Sequence, residues 1–375
     1  MDVFVWFHLG VLLGLVGFSA NLVLNLRVFR RPRLARPGDS GVPLVSILIP
    51  ARNEEHRLPA CLDSLLAQDY PHLEWRVLDD HSTDGTGAVV RERMARQPGL
   101  TLMQGASLPE GWTGKSWACW QLAGSAQGQL LLFTDADTVH APNSVSAAVA
   151  ELEGRRADLL SLWPHQITGS WSEVLILPFV HVLILLFLPQ WLPFRHRSLG
   201  VANGQFVLFR RSAYEAIGGH RTVRAHLVED VALGREIKTR GFGLVNGDGT
   251  GLIRCRMYTC FAEVWEGFTK NLRAGFEDSV GSFVALGIIQ VIFLLAPFAW
   301  LFVGLVWGAS WLPVVVAQVV VILALRGFLA FRYRHPWVSV PLHPAGQFLA
   351  LCIAMNSWIQ SARGSVTWKG RTYRP

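Results

Sequence analysis

Charge is scarce in this chain of 375 residues, because Asp, Glu, Lys and Arg together make up only 16% of it. Hydrophobic residues account for 51%, and the mean hydropathy is +0.32. An ordinary soluble protein is less apolar than this, yet polar residues crowd the middle of the chain. The composition therefore predicts one water-facing domain joined to membrane segments.

Closely paired cysteines are missing as well. The chain has five cysteines, and no two of them have the CxxC spacing that is typical of zinc sites and redox motifs. They are Cys61, Cys119, Cys255, Cys260 and Cys352. We interpret them as free cytoplasmic thiols, so neither zinc nor disulfides are expected.

Two common nucleotide-binding loops are also lacking. No GxGxxG motif follows the first predicted strand, which argues against a Rossmann dinucleotide site. The run Gly114, Lys115, Ser116 ends like a GxxxxGK(S/T) loop, but proline stands at position 109, where the first glycine would be. Neither loop is expected here.

Residues 3–26 are nearly uncharged and long enough to span a bilayer, which takes roughly 20 apolar residues. Only Asp2 precedes this run, whereas five arginines follow it: Arg27, Arg30, Arg31, Arg33 and Arg36. The positive-inside rule then predicts an amino terminus outside and a basic linker, 27–43, that enters the cytoplasm. No small-residue cleavage site is evident, which favours an uncleaved anchor.

The net charge of +7 comes largely from such flanking arginines. We find neither an aromatic–basic RNA motif nor a DNA-reading helix, so no nucleic-acid partner is expected. Attraction to anionic lipid head groups explains the charge better.

The carboxy-terminal region, 280–375, carries two strong candidates for membrane spans, 281–308 and 310–325. Three arginines then return the chain to the cytoplasmic side: Arg326, Arg332 and Arg334. A weaker stretch, 345–361, is expected not to cross fully. Residues 174–194 are hydrophobic but interrupted by prolines and a histidine, which favours an interfacial or re-entrant segment.

The part between these regions, 44–279, alternates short apolar runs with helical patterns. Such alternation predicts an α/β fold with a parallel sheet flanked by helices. The predicted strands are 44–49, 75–78, 101–103 and 130–133, and the predicted helices include 54–68 and 116–126.

Acidic residues follow three of these strands, at 52–54, 79–80 and 135–137. In open α/β sheets, ligands bind at the carboxyl ends of the strands, so these side chains are expected to meet at a nucleotide crevice. The pair Asp135 and Asp137 suits a hard divalent cation that also binds phosphate oxygens. A plainer alternative is that Asp135 caps a turn and Asp137 caps the next helix.

Five segments, in order, are VSILIPARNEE, VLDDHSTDGT, WTGKSWA, FTDADT and LVEDVALG. On these segments the chain resembles the family 2 glycosyltransferases of the GT-A fold, over about residues 45–271. GWTGKSWA and CRMYTCFAEVWEGFTKN are most similar to membrane-anchored members that glycosylate carotenoid or hopanoid lipids.

The resemblance implies roles for particular residues. Three would hold the uridine: Ala51, Glu54 and Asp80. Lys115 would approach the diphosphate, Asp135 the ribose, and Asp137 an Mn²⁺ or Mg²⁺ ion, while Arg52 and Asn53 would shape the loop. The general base would be Asp230, although Glu229 and Asp230 could instead be charges stabilised at a helix start.

The implied reaction is inverting transfer of a sugar, expected to be glucose, from a UDP-sugar to a membrane lipid. A carotenoid or other polyprenoid is the expected acceptor, and a hydroxyl is favoured over a carboxylate as its reacting group. A ceramide-type or dolichyl-phosphate-type lipid remains the alternative within the family. Outside it, a non-catalytic membrane protein with a degenerate domain, or a transporter, is less consistent with the complete set of motif acids.

Overall fold

The computed structural model describes residues 3–33, 42–192, 200–276, 279–363, 366–368 and 371–373. Two compact units are present. The sheet unit comprises Val28–Ile167 and Pro193–Met257, and the helical unit comprises Met1–Arg27, Thr168–Leu192 and Tyr258–Pro375. Residues 34–41 of the predicted linker, with Arg36, and residues 193–194 of the predicted interfacial segment lie outside the described residues.

The sheet unit is built on a seven-stranded sheet. In chain order its strands are β1 Val45–Ala51, β2 Leu73–Asp79, β3 Leu100–Gln104, β4 Leu130–Phe133, β6 Leu159–Trp163, β8 Val207–Arg210 and β9 Leu244–Asp248. Their order across the sheet is β3-β2-β1-β4-β8-β6-β9. Strand β8 runs antiparallel to β4 and β6, and the other pairs are parallel. The prediction of a mostly parallel sheet is therefore confirmed.

Helices cover both faces of this sheet. They are α2 Leu58–Leu66, α3 Thr86–Met94, α4 Gly114–Ser125, α5 Ser144–Gly154, α8 Arg211–Ala216, α9 Gly219–Thr222 and α10 Glu229–Thr239. Alternate residues of β1 enter different hydrophobic clusters, with Ile47 and Ile49 in one and Leu48 in the other. The strand is therefore buried on both sides, which explains its continuous apolar sequence.

The register of the central strands brings their carboxyl ends to one edge. Ala51 pairs with Asp79, and Leu48 pairs with Phe133, so the residues that follow β1, β2 and β4 emerge side by side. The sheet unit also contains a second sheet of three strands, which was not predicted from the sequence. Its strands are β5 Thr138–His140, β7 His165–Gln166 and β10 Ile253–Cys255.

The helical unit contains three helices that are long and apolar enough to cross a membrane, by length and composition, within the described ranges. These are α1 Val3–Val28, the continuous run Val280–Trp307 and α14 Leu312–Tyr333. The middle run consists of α12 Val280–Gln290, a π turn Val291–Leu295 and α13 Ala296–Trp307. Helix α14 extends past the predicted end at position 325, so Arg326 lies buried within it instead of flanking it.

The remaining elements of the helical unit are shorter or less apolar. A broken helix, α6 Trp171–Ile176 and α7 Pro178–Val182, ends in a π turn Leu183–Phe187. Helix α11 Phe261–Ala274 packs against α15 His343–Ala362, where Arg273 N–H donates to Ser357 Oγ at 2.9 Å. Helix α11 therefore belongs to the helical unit, and the sheet unit ends at Met257. A 3₁₀ turn Trp337–Ser339 and the strands β11 Val366–Trp368 and β12 Arg371–Tyr373 complete the unit.

Asn25 of α1 caps the broken helix. Its buried Nδ2 donates to the carbonyls of Leu185 at 2.8 Å and Leu188 at 2.7 Å. Carbonyls at the end of a helix lack partners within that helix, and no water satisfies them in a membrane. Asn25 thus replaces the missing backbone donors.

We expect Asn25→Ala to lower the stability of the detergent-solubilised protein by about 1–3 kcal/mol, the cost of leaving buried carbonyls without donors. Thermal unfolding followed by tryptophan fluorescence measures the change. The control is Ser19→Ala on the same helix, because Ser19 Oγ donates only to its own helix, to Leu15 O at 2.8 Å. Equal losses in both variants would contradict the capping role.

Candidate functional site

The loops after β1 and β2 are fastened to each other at the carboxyl edge of the sheet. Asp80 N–H donates to Ala51 O at 2.8 Å, and Thr83 N–H donates to Asn53 Oδ1 at 2.9 Å. Asn53 has a φ of +54°, a conformation that asparagine tolerates better than most residues. Arg52 Nη1 donates to Asp80 O at 3.2 Å. Both Arg52 and Asn53 therefore shape this loop, as predicted.

Glu54 and Asp80 are the buried acids of these loops, each less than a tenth exposed. Glu54 N–H donates to Thr86 Oγ1 at 2.8 Å, which ties the loop after β1 to the start of α3. Glu54 Oε2 lies 3.9 Å from Arg57 Nη1, so a cation stands near this carboxylate.

Lys115 brings together three separate elements. It lies in the first turn of α4, and its Nζ is 2.7 Å from Asp135 Oδ1 after β4 and 2.9 Å from Glu229 Oε1 at the start of α10. Burial acts to lower its pKa, but the charges of Asp135, Glu229 and Asp230 raise the pKa of Lys115 well above its usual value. The lysine is therefore protonated at every physiological pH.

Asp230 stands beside this lysine at the start of α10. Its Oδ2 accepts a hydrogen bond from Gly204 N–H at 2.6 Å, and its Oδ1 accepts one from Val231 N–H at 2.8 Å. Burial and the charge of Glu229 raise the pKa of Asp230 to about 6, although Lys115 and the two N–H donors oppose the rise. A carboxyl group of this kind exchanges its proton close to neutral pH.

A small cavity of about 20 Å³ lies between these groups, with room for roughly one water molecule. Three of the predicted site residues line it: Lys115, Asp135 and Asp230. Within the described ranges, Ala51, Glu54, Asp80 and Asp137 do not line it, although Pro50 at the end of β1 does.

Asp137 lies beside a different set of groups. Burial raises its pKa to about 7, and the negative charges of Asp135 and Glu54 add to the effect. Its buried Oδ1 has no hydrogen-bond partner among the described residues. A buried carboxylate oxygen without a donor is costly unless a cation or a proton joins it.

The donor set therefore fits a divalent cation in part. No group of three or more His, Cys, Asp or Glu side chains in the described part of the chain is arranged as metal ligands. Mg²⁺ and similar ions need only one or two carboxylates when phosphate oxygens and water complete the shell. Asp137 can supply one such ligand.

The sequence did not reveal several residues of this site. Glu229 was interpreted as a helix-start charge, and its contact with Lys115 depends on tertiary packing. His220 also lines the cavity, is buried against Tyr214 with its Nδ1 2.9 Å from the hydroxyl, and has a pKa lowered to about 3 by burial. Of these two residues, only Glu229 could have been inferred from the sequence, because it is adjacent to the predicted base Asp230.

The family model that matches this chain and two similar staphylococcal proteins are all named as glycosyltransferases. The family model described as "Glycosyl transferase family 2" matches residues 46–218. A 4,4′-diaponeurosporenoate glycosyltransferase of Staphylococcus aureus strain USA300 is 30% identical over 345 residues, covering 88% of each chain. The protein of the same name from Staphylococcus haemolyticus is 28% identical over 297 residues, covering 78% of this chain and 77% of the relative.

Among solved structures, a mannosyltransferase from Pyrobaculum calidifontis, in complex with GDP-Man and Mn²⁺, aligns with a TM-score of 0.54 at 19% identity. The alignment covers 94% of this chain and 97% of that one. At this identity the likeness concerns the fold, which is the GT-A fold expected from the sequence.

Gly204 leaves room for the charged cluster. A Cβ at this position would lie 3.1 Å from both Asp230 Oδ2 and Lys115 Nζ. We expect Gly204→Ala to destabilise the protein by roughly 1–3 kcal/mol, because the overpacked groups must move. Thermal unfolding measures the loss.

Gly124→Ala provides the matched control. Gly124 lies in α4, and nothing stands within 4 Å of its added Cβ. That change should be neutral or stabilise the protein by up to about 1 kcal/mol, as alanine favours helix over glycine. A Gly204→Ala variant as stable as Gly124→Ala would show that the cluster is loosely packed.

Proposed function

Since the chain belongs to glycosyl transferase family 2 and is a glycosyltransferase, we propose that it transfers a sugar from a UDP-sugar to a carotenoid-type membrane lipid. The observation that carries the proposal is the position of Lys115 between Asp135 and Glu229, next to Asp230. One cation and three acids, contributed by three segments of the chain, meet at the carboxyl edge of a mostly parallel sheet, where such folds bind ligands.

The donor's diphosphate binds at the start of α4. Lys115 belongs to the first turn of this helix, where free N–H groups and the helix dipole attract anions. Lys115 then exchanges its contact with a carboxylate for one with phosphate. Ala51, Glu54 and Asp80, in the fastened loops, bind the uridine, and Asp135 binds the ribose.

Asp137 would hold a divalent cation, Mn²⁺ or Mg²⁺. Its Oδ1 has no hydrogen-bond partner among the described residues, and burial with the charges of Asp135 and Glu54 raises its pKa although Arg57 opposes the rise. When bound, the cation neutralises charge that develops on the leaving diphosphate. Within the chain, Lys115 contributes to the same neutralisation from the other side of Asp135.

Asp230 is the general base. Its two backbone hydrogen bonds fix the carboxylate, and its raised pKa lets it take a proton from an acceptor hydroxyl near neutral pH. Attack from the face opposite the leaving UDP inverts the configuration of the sugar carbon. UDP-glucose is the first donor to test.

The acceptor is a long apolar lipid of the carotenoid type. The two relatives carry the name diaponeurosporenoate glycosyltransferase, and three helices of this chain are long and apolar enough to cross a membrane. That name denotes an acceptor that carries a carboxylate. A general base, by contrast, is needed when the reacting group is a hydroxyl. Assays with both kinds of acceptor distinguish the two.

We expect Asp137→Asn to abolish transfer and to weaken metal-dependent UDP binding, because a neutral amide holds a divalent cation poorly. Radiolabelled transfer to extracted lipid and UDP binding with and without Mn²⁺ measure the two effects. The control is Asp63→Asn, an exposed carboxylate paired with Arg93, which should retain activity. Undiminished turnover of the wild-type protein in EDTA would refute the metal requirement.

Asp230→Asn should lower the rate on a hydroxyl acceptor by roughly 10²- to 10⁴-fold, the usual contribution of general base catalysis. A carboxylic acid acceptor is already ionised near pH 7, since its reference pKa is about 4. Its rate should change little. Parallel assays with a carotenoid alcohol and a carotenoid acid measure the difference.

The pH profile provides the second readout for Asp230. The base works only when ionised, so kcat/KM on a hydroxyl acceptor should fall as the pH drops through about 6. The acidic limb should be absent in Asp230→Asn and present in Asp63→Asn. A limb that persists in Asp230→Asn would assign the titration to another group.

The sheet unit faces the cytoplasm, as the arginines after α1 support. Cys61 and Cys119 are buried, so Cys260, which is exposed, is the suitable probe for the chain beyond this unit. In a Cys352→Ser background, an impermeant maleimide should label Cys260 in inverted vesicles and not in intact cells. Labelling in intact cells would reverse the proposed orientation.

A further inference from the structure

Arg326 is a buried guanidinium of the helical unit and has no counter-ion among the residues that the structure describes. It lies within α14 and is only 2% exposed. Its Nε and Nη1 have no hydrogen-bond partner among the described residues, and no carboxylate there forms an ion pair with it. Nη2 lies 3.4 Å from both Ser339 O and Ser339 Oγ, at the outer limit of hydrogen bonding.

The surroundings of Arg326 supply an aromatic wall and further polar groups. Its guanidinium carbon lies 4.9 Å from the ring centroid of Phe179, a cation–π contact. His343 is also nearby, since its ring stacks on Phe179 with 5.3 Å between the ring centroids. We call Arg326, Phe179, Ser339 and His343 the Arg326 cluster.

A cation in this position needs an explanation. A charged side chain inside a membrane helix is costly, and such residues usually face a partner, a cavity or a ligand. The alternative is that the arginine extends along the helix to reach water, but its burial excludes this. Phe179 alone does not replace the hydrogen bonds lost by two guanidinium nitrogens.

The local backbone is also irregular. Phe179 follows Pro178 at the break between α6 and α7, and Ser339 ends a 3₁₀ turn after Pro336. Non-helical backbone at membrane depth is tolerated where it is buried in protein or lines a cavity. Both breaks therefore border the same buried arginine.

Arg326 lies toward the basic end of α14. It lies seven residues before Tyr333, the last residue of α14, or about 10 Å along the helix axis. Arg332 and Arg334 mark this end as the basic one, where acidic head groups collect.

We propose that the Arg326 cluster binds the anionic head group of a membrane amphiphile, with carboxylate or phosphate oxygens on Nε and Nη1 of Arg326. Two sources share this chemistry, an acidic phospholipid of the bilayer and a long-chain carboxylic acid such as an acceptor lipid. The proposal concerns the helical unit alone and does not depend on the function proposed for the site around Lys115.

The test uses the full chain, delipidated in a neutral detergent. Phosphatidylglycerol and oleate are the anionic probes, and phosphatidylcholine and oleyl alcohol are their neutral counterparts. The midpoint of thermal unfolding is followed against probe concentration to obtain an apparent Kd. We expect the wild-type protein to be stabilised by at least one anionic probe and by neither neutral one.

Arg326→Gln should bind that probe roughly 10- to 100-fold more weakly, as expected for lost charge-assisted hydrogen bonds. Arg334→Gln is the matched control, because it removes the same charge from an exposed position at the end of the same helix. Its affinity should match that of the wild-type protein.

Stabilisation by phosphatidylglycerol alone would identify a phospholipid site, and stabilisation by oleate alone a site for a carboxylic amphiphile. Equal stabilisation by charged and neutral probes, or equal affinity in Arg326→Gln and the wild-type protein, would overturn the proposal. If Arg326→Gln does not fold, Arg326→Lys replaces it, since the charge stays while the guanidinium donors are lost. Failure of all four probes to stabilise the wild-type protein would overturn the proposal without any variant.

Discussion

The site depends on a single ammonium group that is shared between two carboxylates. Lys115 contacts Asp135 at 2.7 Å and Glu229 at 2.9 Å, and these acids come from chain segments more than ninety residues apart. Both contacts require that β4 ends, α4 begins and α10 begins at the same edge of the sheet. The antiparallel pairing of β8 with β4 positions the loop at Gly204, which binds the third acid, Asp230.

The balance of charge around Lys115 governs the chemistry that the site can perform. Three acids, Asp135, Glu229 and Asp230, surround one lysine, and Asp137 adds a fourth negative charge beyond Asp135. Burial, together with this surplus, raises the pKa values of Asp137 and Asp230. A diphosphate adds further negative charge and would be repelled unless a cation accompanied it. The protein's own charges therefore support the proposal that a divalent ion accompanies the donor.

The sequence predicted the four strands β1 to β4 and the acids that follow three of them, because apolar runs followed by acids are typical of strands that are buried on both faces. It did not predict β5, β7 and β10, since strands of two or three residues have no measurable period. It correctly placed Glu229 at a helix start but did not predict its contact with Lys115, and it assigned Arg326 to the cytoplasmic side of the membrane. Packing between distant segments decides which carboxylate contacts Lys115. It also decides whether an arginine near a helix end is buried.

Three other buried polar side chains of the helical unit form hydrogen bonds with backbone groups, unlike Nε and Nη1 of Arg326. Asn25 caps carbonyls of the broken helix, Gln318 donates to His8 O at 2.7 Å, and Ser357 bridges α15 and α11. Each of these contacts replaces water for a backbone group that would otherwise be unsatisfied in an apolar medium. A unit that served only as an anchor would need none of them, because apolar side chains suffice to hold a helix in a bilayer. Its polar contacts therefore fix one arrangement of helices, and a specific arrangement is what a binding site for an amphiphile requires.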